Sequence, residues 1–125
     1  MTNTKRERAK SKFKEFEALK FVGTWHIVEM EMWDEEYFNM EVQAFFSINK
    51  DNSGNFQFGL VSGQIDGERV KEGAGEKLEF TWEGNDECDP AFGSGWLKLR
   101  DQETMEGKIK FHAGDSSKFL AKRVK

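Results

Sequence analysis

The chain has 125 residues, one cysteine and a net charge of −4, which suits one domain with a core of its own and excludes an intramolecular disulfide. Twelve Phe, four Trp, twelve Gly and a single Pro favour β-structure with tight turns over a helical bundle. Residues 1–20 carry seven Lys or Arg against three Glu, which leaves the remainder at −8; an acidic body argues against nucleic acid as a partner, because phosphate neutralisation dominates that binding.

The first twenty residues, MTNTKRERAKSKFKEFEALK, form a basic tail and helix. They contain no apolar run, so they do not read as a secretory signal. Ala9, Phe13, Phe16 and Leu19 recur at helical spacing over residues 5–20. The expected role is a helix that plugs one end of the body, residues 21–125, with its charges solvated. No stretch of about 18 apolar residues exists to span a membrane, and a lone Cys88 fits a reducing compartment. A cytoplasmic protein is the expectation.

From Gly23 the pattern changes to period two. The first strand covers about 24–33, and the second is AFFSINK, 44–50. Asp51-Asn52-Ser53-Gly54 has hairpin-turn chemistry. It lacks the closing Glu of a calcium loop, because Ser62 stands at that place. The third strand is NFQFGLVS, 55–62, and the fourth lies around 63–71. The fifth, LEFTWEG, sets Leu78, Phe80 and Trp82 on one face. GNDECDPAFGSG then reads as the longest late loop. WLKLR, TMEGKIKFH and KFLAKRV complete about eight strands joined by short turns. An antiparallel up-and-down series of eight strands can close into a barrel that holds side chains or one small ligand.

Gly23-Thr24-Trp25 opens the first strand and Arg123 lies on the last. This resembles the calycins, the superfamily of lipocalins, fatty-acid-binding proteins and avidins. The resemblance implies an all-β barrel whose closed end is covered by Arg123 over the Trp25 indole. It extends to those residues and the strand count. From Gly23 onward the chain also resembles small bacterial proteins of unassigned function, through GTW, EMEMWD, FQFG, WEGNDECDP, GSGW, FHAGDSS and AKR. That likeness implies no activity.

In such a meander alternate connections share an end. The first strand starts at the closed end, so the last strand finishes there, which brings Arg123 to Trp25. The other end gathers Asp34, Glu35 and Glu36, then Asp86, Glu87, Cys88 and Asp89, then His112 and Asp115. If Trp25 points inward without a bulge, parity turns Ile27, Glu29, Glu31 and Trp33 inward too. A bulge exchanges the faces. Inward carboxylates need pairing, from Arg69, Lys98 or Arg100, or a cationic ligand among Trp rings. The alternative core is Val28, Met30 and Met32, with both Glu in water.

The candidate ligand-binding set is therefore Glu29, Glu31, Trp33, Asp34, Trp82, Asp86, Asp89, His112 and Asp115. The first reading is a non-catalytic barrel that takes a small cationic or polar ligand at this end. The second, from another class, is an interaction module with a filled barrel and an acidic rim that docks a basic protein. The third is a small enzyme using rim carboxylates and His112. No nucleophile elbow or phosphate-cradling glycine loop supports it. A metal on His112, Asp115, Asp86, Asp89 and Cys88 lacks ligand spacing, and no cofactor is expected. Whether the interior is filled separates the first two readings.

Overall fold

Alternating burial runs through eight segments of the chain, and each becomes a strand. A computed structural model describes residues 5–125, with residues 5–8 and 10 described by backbone alone. The first four residues of the basic tail lie outside the described residues. Helix α1 (Lys5–Leu19) leads into β1 (Gly23–Met30), a short helix α2 (Glu35–Phe38), β2 (Phe45–Ile48), β3 (Ser53–Phe58) and β4 (Val61–Glu72). Then follow β5 (Gly75–Asp86), β6 (Asp89–Leu99), β7 (Thr104–Phe111) and β8 (Ser116–Arg123). Each strand pairs with its sequence neighbour, and β1 with β8, so the antiparallel barrel closes and removes its sheet edges.

Connections differ from the expected ones at three places. The first strand stops at Met30 rather than about residue 33, and residues 31–44, with α2, stand where a short turn was expected. The third strand stops at Phe58, because Gly59, at φ +55°, turns the chain in two residues. The segment read as a long loop is instead a hairpin: β5 runs on to Asp86, and β6 restarts at Asp89 across a two-residue turn, with Glu87 at φ +57°. Its β6 arm projects past β7, whose pairing with β6 begins at Gly93 and Phe111. Pro90 sits on that unpaired stretch, where a missing N–H blunts the edge.

The core follows a simple rule. Four of the inward aromatic rings lie directly opposite glycines on neighbouring strands. Phe56 faces Gly63, Phe80 faces both Gly67 and Gly95, Trp82 faces Gly93, and Phe119 faces Gly107. A Cβ at Gly63, Gly95 or Gly107 would press into the facing ring, so each glycine supplies space for an aromatic. The rings stack into a column from Phe119 through Phe46 (4.8 Å) and Phe56 (5.1 Å) to Phe58 (6.0 Å). The barrel is filled by its own side chains.

At the closed end Trp25 is fully buried and donates from Nε1 to the Phe21 carbonyl. Arg123 lies 4.2 Å from the Trp25 ring. It donates to the carbonyls of Gln102, Val22 and Lys20 at 2.8–2.9 Å. The end of α1 is fixed here as well. Arg69 donates to the Glu17 and Ala18 carbonyls and packs over Phe21, and Lys20 pairs with Glu76. The expectation that the helix plugs the barrel is corrected in part. Phe16 and Leu19 are half-buried, but Phe13 is 65% exposed.

Candidate functional site

The first strand resolves the problem of its carboxylates through a bulge. Opposite β8, Ile27 pairs with Ala121 but Glu29 pairs with Leu120, so Val28 is an extra residue. Two consecutive residues, Val28 and Glu29, therefore face outward. Trp25 and Ile27 point into the core before the bulge, and Met30 does so after it. The bulge-free expectation that Glu29 and Glu31 face inward is thus corrected: both are exposed. The alternative core also fails in part, since only Met30 of Val28, Met30 and Met32 is buried. Arg69, Lys98 and Arg100 do not serve these glutamates. They pair with Glu76, Glu72 and Glu106. Glu31 instead accepts from the Lys118 backbone N–H at 3.3 Å.

The end expected to be open is plugged. Asp34 caps α2 by accepting from the Tyr37 N–H. This carboxylate has a structural task, and it places two aromatics. Phe38 is buried, its carbonyl accepting from the Gly59 N–H. The Tyr37 hydroxyl accepts from the Leu60 N–H at 3.4 Å. Trp33 packs its ring against Tyr37, Phe58 and Phe111 at 5.1–6.2 Å. Below it, Trp82 is buried, lies 5.2 Å from Phe111, and donates to the Lys110 carbonyl. Trp33 and Trp82 are the stopper of the barrel rather than walls of an opening. Asp34 followed by two glutamates and then Tyr-Phe is a helix-start signal that exposes α2 in the sequence.

Strand topology brings the remaining acidic residues to this same end. Asp86 and Asp89 face each other across the hairpin, both exposed. Asp115 closes the next turn, its carbonyl accepting from the Phe111 N–H. His112 is exposed and stacks on Phe92 at 4.7 Å. They do not converge: among the described residues no group of three or more His, Cys, Asp or Glu side chains is placed to hold a metal ion. Cys88 is exposed at the hairpin tip, as a free thiol. The loops at this end (residues 31–44, 59–60, 87–88 and 112–115) contain no Lys or Arg. Beside their acids stand the exposed apolar side chains Met32, Met40 and Val42, which charge-based reading missed.

Tyr37 reports on this surface. Its burial raises the phenol above its ordinary value of 10.0; Asp86 and Glu87 push it the same way, against the hydrogen bond from Leu60. The folded state thus favours the protonated phenol. Stability from this site is complete below the unfolded value and is lost as pH rises through the raised one. As Tyr37 is the one tyrosine, tyrosinate absorbance isolates it. A single transition displaced to alkaline pH is expected, together with falling thermal stability over the same range. A transition at the free-phenol value would contradict the plug.

The chain has no match among protein-family models, curated proteins or solved structures. No helix among the described residues is long and apolar enough to cross a membrane.

Proposed function

We propose that this protein is a non-catalytic docking module whose acidic, plugged end receives a basic segment of a partner protein. The observation that carries this reading is the filled barrel. Twenty apolar residues form one buried cluster that occupies the interior, and the larger clefts open on the outer wall. One of them, about 770 Å³, is lined by Asp66, Glu79, Ser94, Trp96 and Lys108 among others. A carrier of a small ligand needs an internal cavity; a docking module does not. The acidic loops without Lys or Arg, interleaved with exposed methionines, supply the chemistry for a basic, partly apolar segment, since thioethers adapt to varied partners.

The stacked Trp25 and Arg123 pair, following Gly23, supports a calycin-like barrel. The exposed Cys88 thiol supports a reducing compartment such as the bacterial cytoplasm.

The test is titration calorimetry with a synthetic Lys/Leu amphipathic peptide and a Glu/Leu peptide of equal length. The basic peptide should bind at low ionic strength and weaken steeply with salt. Replacing both Asp86 and Asp89 by Asn should weaken it further. The same replacement should raise the melting temperature, because like charges directly opposite on an antiparallel pair are unfavourable. Equal binding of the two peptides would refute the reading.

A further inference from the structure

We propose that the docked segment is helix α1 of a second copy of this chain, given and received reciprocally in a two-fold arm-exchanged dimer. This rests on the docking function proposed above and names its partner.

The helix offers the matching chemistry. Residues 1–20 hold seven Lys or Arg against three Glu, while the rest of the chain is at −8. Lys12 and Lys14 are exposed, and Phe13 between them is 65% exposed, which leaves a large apolar ring without cover. At the acidic end, Met32 and Met40 are 51% and 52% exposed beside Glu35, Glu36 and Glu41. Each surface therefore combines a charge and an uncovered apolar group, and the charges are opposite.

Geometry assigns the contact to two chains. The described anchors of α1 are Arg69, which holds the Glu17 and Ala18 carbonyls, and Lys20, which pairs with Glu76, all at the closed end. The acidic loops occupy the opposite end of the barrel, so the helix does not meet them within its own chain. Two copies side by side and antiparallel, related by a two-fold axis, set each closed end beside the other's acidic end. Residues 5–15 of the helix, ahead of the half-buried Phe16 and the anchored Glu17 and Ala18, span about 16 Å, enough to reach onto a neighbouring barrel end. The exchange is isologous and closes at two chains.

The experiment is sedimentation velocity on the full chain over the micromolar range, at low and high salt. The wild type should be dimeric at low salt and dissociate as salt rises. Reversing the arm (Lys12→Glu with Lys14→Glu) should weaken the dimer at least about tenfold, and so should reversing the receiving end (Glu36→Lys with Glu41→Lys). The decisive arm mixes the two variants. In the mixture the unchanged basic arm of one variant meets the unchanged acidic end of the other, and the two altered patches carry opposite local charges, so an equimolar mixture should restore a heterodimer. That result also shows that both variants are folded. A wild type that stays monomeric at low salt overturns the proposal. So does a dimer unmoved by either reversal, or a mixture of folded monomeric variants that does not associate. Recruitment of a monomeric wild type to anionic vesicles through α1 overturns it as well. A monomer that still binds the Lys/Leu peptide refutes the arm exchange and leaves the docking function standing.

Discussion

Deleting Val28 should leave the barrel folded, whereas deleting Thr81, in the bulge-free strand β5, should abolish folding. The contrast follows from the bulge. Val28 has no partner of its own on β8, because Ala121 is taken by Ile27 and Leu120 by Glu29. Without it, Ile27, Glu29 and Met30 follow one another in regular alternation, and the ladder to Ala121, Leu120 and Phe119 becomes continuous. Trp25, Ile27 and Met30 keep their inward places, and Glu29 and Glu31 stay in water. Thr81 is different, for it pairs with both Asp66 and Ser94 in ladders that hold no spare residue. Its removal puts Phe80 and Trp82, both buried, next to each other in sequence, and adjacent residues of a strand face opposite sides. One of them must leave the core. Full burial of such a side chain is worth about 1.5–3 kcal/mol, and the slip carries Leu78 along with Phe80, or the hairpin arm along with Trp82. The sum rivals the total stability of an ordinary domain, about 5–15 kcal/mol. Circular dichroism melts of the two deletions decide the matter. A ΔVal28 chain that fails to fold while ΔThr81 survives would mean that the bulge lies elsewhere.

The carboxylate problem in GTWHIVEMEMW shows where sequence reading stops. Alternation of side chains is local, and it supplied the strand count, the closed barrel and the sorting of turns between two ends. The bulge is not local. It depends on which residue of β8 meets which residue of β1, about ninety positions away, and nothing between Trp25 and Trp33 announces it. The hairpin around Cys88 was hidden for another reason. Asn85, Asp86, Asp89 and Pro90 have loop composition, yet β4 pairs with β5 as far as Val61 and Asp86, and this extends the ribbon regardless of propensity. Gly59 looked like a strand glycine between Phe58 and Leu60; its role at positive φ emerges only with the Tyr37 ring packed against it. The rim residues were placed at the correct end by parity alone. The task of Asp34 is legible in the helix-start signal of residues 34–38, whereas Trp33 as a stopper depends on how α2 packs.

Removing either member of the Trp25–Arg123 pair should destabilise strongly, and removing both should cost less than the sum. Trp25→Ala should cost about 3–5 kcal/mol, the usual range for a buried aromatic truncated to a methyl group. Arg123→Ala releases three backbone carbonyls from a charged donor, and should cost about 2–4 kcal/mol after allowance for partial exposure. The guanidinium joins three pieces of chain: Lys20 and Val22 before β1, Gln102 between β6 and β7, and the indole beneath. Once Trp25 is gone, the cation loses its π-face and part of its support, so the second truncation has less to remove. A coupling of about 0.5–2 kcal/mol is expected from a double-mutant cycle followed by denaturant unfolding. Arg123→Lys is the sharper probe. An ammonium keeps the charge but not the planar fork that reaches carbonyls on several sides, so the lysine variant should resemble the alanine one. Additive costs in the cycle, or full rescue by lysine, would show that charge near the C-terminus matters here and that contact with the indole does not.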